Sequence, residues 1–213
     1  MADRSRSEIW FEAVKRLSSS KKTATVIEVG VGQGGRIALA ALALAASANS
    51  DSRLIGFDRF ERPLDYGHLD SQFEGWERSY SVEKELSRLR LPFADSSALW
   101  ITNIEKLCES TGYRGGMELI AGDVETQAPK FLSSCSSGFE IDVLSISCNW
   151  YSGVKASVES FFPCLASNAL VMLDGYFYWG GFKKACEEYG IDDGYPGAFQ
   201  SGDCLVLQNG FGK

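Results

Sequence analysis

A chain of 213 residues, 45% hydrophobic and 23% charged, is long enough for one domain with a full core and too apolar for wholesale disorder. Its formal net charge of −7, with the basic residues spread along the chain, disfavours a nucleic-acid or anionic-membrane partner. A single histidine, His68, excludes a zinc site with several histidine ligands, and no GxSxG stretch is present to serve a Ser-His-Asp triad.

The opening "MADRSRSEIWFEAV" lacks the apolar core of a signal peptide, and Ile9, Trp10, Ala13, Val14 and Leu17 lie at helical spacing. "TATVIEV" (Thr23–Val29) is a β-branched run and reads as a buried strand; Gly30–Gly35 form a turn, and Arg36–Ala48 an alanine-rich helix. Ile37–Ala46, the longest apolar segment, is too short to span a bilayer. "RLIGFD" (Arg53–Asp58) is a second strand. An irregular aromatic region follows, residues 59–97, with a short helix expected at Val82–Arg90; its length fits a lid inserted into the domain, or a helical piece packed on the sheet edge. Alternation then resumes: helix Ala98–Ser110, strand Met117–Asp123, helix Thr126–Ser133, strand Ile141–Cys148, helix Val154–Leu165, strand Ala169–Tyr176, helix Phe182–Tyr189 and strand Asp203–Gln208. Apolar strands alternating with helices predict an α/β fold, a mostly parallel, doubly wound sheet covered on both faces within a single domain, 1–213. The six cysteines show no CxxC spacing and read as reduced thiols, which points to the cytoplasm.

The stretch "VIEVGVGQGG" contains GxGxxG as letters, which many ligands share: a tight turn, no Cβ in the way and a helix N-terminus behind it. Glu28, two residues before the first glycine, favours a ligand bearing an amino group or a sulfonium over a pyrophosphate. S-adenosylmethionine is therefore preferred to a dinucleotide, with a turn serving packing alone as the bland alternative. Asp58 ends the second strand, where a carboxylate takes ribose hydroxyls; Asp123 ends "ELIAGD", where the acid or the neighbouring Val124 amide can meet an adenine amine. Ligands in open α/β sheets bind beyond the carboxyl ends of the strands, so these acids form one coherent site, although either aspartate alone would more often be a loop acid or helix cap.

From Thr23 to Gln208 the chain resembles the class I S-adenosylmethionine-dependent methyltransferases, and among them the macrocin O-methyltransferase-like enzymes. "IEVGVGQGG" is similar to the family's glycine motif, "FDRFERP" to its D-x-F-x-x-P, "AGDVETQAP" to the segment after its third strand, "FFPCLASNALVMLDGY" to the approach to its paired aspartates, and "GFKKACEEY" to the helix beyond. The resemblance implies a Rossmann-like, seven-stranded sheet, methyl transfer to a hydroxyl in natural-product biosynthesis, and a cofactor site of Glu28, Gly30, Gly32, Gly35, Asp58, Asp123 and Val124.

The chemical half departs from the family. Where the family ends its fourth strand in D-G-D-L-Y, with a metal ligand and a general base, this chain has Ser147-Cys148-Asn149-Trp150-Tyr151; where it ends its fifth strand in two metal-binding aspartates, this chain has Asp174-Gly175. One carboxylate does not retain magnesium without help from the substrate, so no metal ligands are assigned. The remaining candidates for orienting or deprotonating an acceptor are Asn149, Asp174, Tyr176 and His68, with Tyr151 nearby. A metal-independent O-methyltransferase acting on a small molecule is the leading expectation. The alternatives are an enzyme that keeps the cofactor but cyclises or rearranges its substrate, and a non-catalytic binding subunit. The aromatic run Tyr176–Trp179 would suit a large apolar substrate, or else be core or a homodimer contact.

Overall fold

The structure, a computed structural model, describes residues 5–20, 23–47, 51–61 and 96–208. The expected lid helix, His68 and most of the 59–97 insertion lie outside the described residues.

The first helix, α1 (Arg6–Ser20), starts earlier than its apolar spacing indicates. Its N-terminus is a capping box: the Ser5 amide donates to Glu8 Oε2 at 2.7 Å and the Glu8 amide donates to Ser5 Oγ at 3.3 Å. Trp10, Val14 and Leu17 form its buried stripe. Strand β1 (Thr25–Val29) leads through the glycine turn into α2 (Gly35–Ala46), whose alanines allow close packing on the sheet. Strand β2 (Arg53–Asp58) has the predicted bounds. After it come α3 (Ser97–Ser110), β3 (Gly116–Ala121), α4 (Val124–Ser134), β4 (Ile141–Ile146), α5 (Tyr151–Phe161) with a single 3-10 turn, β5 (Leu165–Asp174), α6 (Gly180–Glu188), β6 (Ala198–Ser201) and β7 (Cys204–Gln208).

Seven strands make one sheet in the order β3-β2-β1-β4-β5-β7-β6, parallel except for β7, which runs antiparallel to both neighbours. The sheet is thus the doubly wound, mostly parallel one expected. Its seventh strand, β6, was not among the six that apolar patterning predicts. It is a four-residue edge strand whose Phe199 and Gln200 are exposed, so it carries no buried alternation to read. The sheet's two faces are covered separately. α1, α2 and α3 pack with Val26, Leu54, Val143, Met172 and Val206; α4, α5 and α6 pack with Ile27, Phe57, Leu144, Leu173 and Leu205. β1 and β4 are adjacent although β2 and β3 intervene in sequence, so the chain winds outward in opposite directions from that seam. Such a switch point opens a crevice at the carboxyl ends of the strands. All six cysteines are unpaired, and among the described residues no helix is long and apolar enough to cross a membrane.

Candidate active site

The glycine turn sits at that seam. Gly30, Gly32 and Gly34 all have positive φ, at 85°, 55° and 82°. Gly30 is pressed against the end of β4, where a Cβ would lie 2.6 Å from Cys148 N and the Ser147 amide donates to Val29 O at 2.8 Å; its own amide donates to Phe57 O of β2 at 2.8 Å. Gly32 is the opposite case, because a Cβ built there would have nothing within 4 Å. Gly34 precedes α2 and packs against Ile104 of α3, while Gly35 is the first helical residue. The Trp100 indole donates to Gly32 O at 2.8 Å, so α3 also steadies the turn. Nothing in the local pattern around Trp100 marks that role.

Asp58 ends β2 facing this turn. Its Oδ2 accepts from the Gly32 amide and its Oδ1 from the Phe60 amide, each at 2.8 Å. Burial raises its pKa, and the backbone donors led by Gly32 oppose the rise. Glu28 lies beneath the turn, 2% exposed, with Oε1 3.7 Å from Arg36 and Oε2 lacking a hydrogen-bond partner among the described residues. Burial pushes its carboxyl up to about 8, against the pull of Arg36. The third strand end is brought alongside by the Gly122 amide, which donates to Asp58 O at 2.9 Å. Asp123 there is exposed and 3.4 Å from Arg59 Nε, while the Val124 side chain is buried and begins α4.

The expected chemical residues do not converge in the same way. Asp174 closes β5 and is 11% exposed. Its Oδ1 accepts from Arg6 Nη1 at 2.5 Å, and its Oδ2 from Arg36 Nη2. Arg36 also donates to Ser145 Oγ at 2.9 Å, and strand register places Glu28, Ser145 and Met172 at one level. Asp174, two residues beyond Met172, therefore falls on the α1/α2 face of the sheet. Tyr176 is 1% exposed in the core on the other face, among Phe182 and Cys186, with Lys183 Nζ 5.4 Å from its ring centroid. Its hydroxyl is buried without a hydrogen-bond partner among the described residues, and burial raises its pKa. Asn149 is exposed in the loop between β4 and α5, next to Trp150, whose ring meets Trp179 at 6.0 Å. Burial pushes the Cys148 thiol up to about 12.

Arg6 and Arg36 were not predicted, yet both carried a signal. A cation in the first turn of a helix opposes the helix dipole, so Arg36 needs a carboxylate partner. The spacing Ser5-x-x-Glu8 is a capping box that sets Arg6 as the first residue of α1. Among the described residues, no group of three His, Cys, Asp or Glu side chains is placed to hold a metal ion.

A family model described as a methyltransferase domain matches residues 27–176. No curated protein sequence matches the chain. Similar solved structures include the calicheamicin methyltransferase CalS11, with a TM-score of 0.71 and 17% identity over 94% of this chain and 77% of that one. The O-methyltransferase NovP has a TM-score of 0.69 and 14% identity over 96% and 79%. TomG of Streptomyces achromogenes, an O-methyltransferase of tomaymycin synthesis solved with S-adenosylmethionine, has a TM-score of 0.54 and 12% identity over 94% and 79%. The matched segment runs from β1, through the glycine turn, to just beyond Asp174, and the chain belongs to the methyltransferase domain family, with the class I S-adenosylmethionine-dependent methyltransferase fold.

Proposed function

We propose that the chain is an S-adenosylmethionine-dependent O-methyltransferase acting on a small acceptor of natural-product type, without a metal. The observation that carries this reading is the turn at the β1/β4 seam, where Gly32 faces open space at positive φ with Asp58 bonded to its amide. These residues fit the cofactor. Gly32 lets a ligand approach backbone, and Asp58 stands where ribose hydroxyls need an acceptor. The likeness to CalS11, NovP and TomG supports an acceptor of that type. When bound, the cofactor supplies an electrophilic methyl on a positively charged sulfur. The task of the chain's residues is to hold the acceptor oxygen in line and keep water out.

The test is titration calorimetry with S-adenosylhomocysteine, for which saturable binding is expected. Binding of NAD in its place would overturn the reading.

The double engagement of Asp174 by guanidinium groups favours a second reading, in which the site has been refitted and the cofactor serves only as a fixed charge while the substrate is cyclised or rearranged. Substrate conversion without release of S-adenosylhomocysteine would select it.

A further inference from the structure

Three positions at the ends of β4 and β5 would have to supply oxygen ligands for magnesium, and none is able to do so. Asp174 is engaged on both oxygens by cations, Arg6 Nη1 and Arg36 Nη2, whose positive charge opposes a metal ion there. Gly175 has φ 117°, and a Cβ there would sit 2.9 Å from the Trp179 side chain at Cδ1, so a second aspartate would be strained at this position. The Ser147 hydroxyl is turned into the glycine turn, donating to Gly30 O at 2.8 Å. A hard dication needs several anionic oxygens in near-octahedral array, and these residues do not fit it.

The cation at this place is a guanidinium. Arg36 is the more enclosed of the two, 19% exposed, and is spent on Asp174, Ser145 and Glu28. Arg6 differs. It is 42% exposed at the start of α1, beside the Ser5–Glu8 capping box, and its Nη1 is anchored on Asp174 and, at 2.9 Å, on Asp203 Oδ1. Its Nε and Nη2 donors make no bond among the described residues. A guanidinium has five N–H donors in a fixed fork, so one side can be anchored while the other presents parallel donors to an anion.

We infer that Arg6, held on Asp174 and Asp203 at the carboxyl end of β5, binds the acceptor through an anionic oxygen, so that the acceptor class is a phenolate, enolate or carboxylate rather than an alkanol. This rests on the methyltransferase reading above. A Lewis-acidic metal makes a nucleophile of a weakly acidic hydroxyl by withdrawing charge from its oxygen. A guanidinium supplies charge and hydrogen bonds only, and cannot ionise an alkanol, which is about as weak an acid as water. An acceptor that arrives ionised needs neither metal nor base: its oxygen forms the new O–C bond as the S–C bond breaks, the electron pair of that bond returns to sulfur, and both formal charges disappear. No proton moves. Arg36 is the positioning residue that holds Asp174 as Arg6's anchor.

The experiment uses the full chain saturated with S-adenosylhomocysteine. Calorimetry measures binding of two probes of nearly equal shape, salicylate and uncharged 2-hydroxybenzyl alcohol. Wild type, Arg6→Gln and Arg6→Lys are compared, and melting temperatures verify that each is folded. Salicylate should bind wild type at least tenfold more tightly than the alcohol. Arg6→Gln should lose that preference, and Arg6→Lys should keep part of it, since charge remains while the fork is lost. Equal binding of the two probes, no saturable salicylate binding by wild type, or an Arg6→Gln protein that retains the preference would each overturn the inference. Titration with Mn2+ followed by electron paramagnetic resonance adds a second arm, in which saturable binding at sub-millimolar concentration would overturn it as well. Failure of S-adenosylhomocysteine itself to bind would instead sink the cofactor reading, so the two failures are separable.

Discussion

Replacing Gly30 with alanine probes the contact on which the candidate site is built. An L side chain at φ 85° costs about 1–2 kcal/mol. The new Cβ would also lie 2.6 Å from Cys148 N, 2.7 Å from Ser147 C and 2.9 Å from Ser147 O. All three are backbone atoms and have little room to retreat, because the Ser147 amide is bonded to Val29 O at 2.8 Å and its hydroxyl to Gly30 O at 2.8 Å. Overpacking against such a fixed neighbour adds about 1–3 kcal/mol, for a total of about 2–5 kcal/mol. At about 2–4 °C per kcal/mol for a domain of this size, the melting temperature should fall by about 4–20 °C. Gly32→Ala is the control. Its φ of 55° carries the same conformational cost of about 1–2 kcal/mol. With nothing within 4 Å of the new methyl, no clash is added. That methyl enters the open space in front of the turn, so S-adenosylhomocysteine binding should weaken at least tenfold while the protein stays folded. Thermal melts followed by circular dichroism, with calorimetry on both variants, read the two effects separately. A Gly30→Ala protein as stable as Gly32→Ala would refute the close approach of the β1 turn to the end of β4.

Glu28 holds a proton in the folded state that the unfolded chain has already released, because burial raises its carboxyl from 4.5 to about 8. Its contribution to stability is full below the unfolded value and is lost as the pH rises through the folded one; wild type should therefore lose stability between pH 6 and 8, and Glu28→Gln should flatten that slope. Parallel melting curves for the two proteins across this range would contradict the assignment. Asp58→Ala leaves the Gly32 and Phe60 amides without their acceptor, which should cost about 1–3 kcal/mol. The same change should weaken S-adenosylhomocysteine binding at least tenfold, and unchanged affinity by calorimetry would remove Asp58 from the site. Gly175→Asp, which restores a carboxylate beside Asp174, should destabilise by about 1–3 kcal/mol because φ is 117° there. It should gain no Mn2+ signal by electron paramagnetic resonance, and a magnesium-dependent rise in activity would show that the end of β5 is more adaptable than its contacts indicate.

Local chemistry was enough to read most of this fold. Runs such as "TVIEV" and "IDVLSI" are mostly apolar, with Glu28, Asp142 and Ser145 as buried polar exceptions, because both faces of β1 and β4 are covered, and that pattern predicts central parallel strands. The glycine turn was legible for a similar reason, since closely spaced glycines before a helix mark backbone that needs positive φ; Gly30, Gly32 and Gly34 have it, whereas Gly35 is the first helical residue. Edges and ends were less legible. β5 begins at Leu165, four residues before the predicted Ala169, because Leu165 pairs with Ile141 across an irregularity in register that no local pattern records. β6 owes its existence to pairing with β7 rather than to its own residues.

The partnership of charges was decided by tertiary structure. Glu28 was legible as an acid before the glycines. Its burial beneath the turn, and the sharing of Arg36 with Asp174, follow from strand register between β1, β4 and β5. Arg6 reaches the same carboxylate only because α1 docks beside α2, far from β5 in sequence. Tyr176 shows the limit from the other side. Its sequence position two residues past Asp174 marked it as a site candidate, but the turn after β5 sends its ring into the core under α6. Propensity and periodicity are properties of neighbouring residues and can be read along the chain. Which carboxylate meets which guanidinium depends on how distant segments pack, and burial then sets what those charges cost and what they can do.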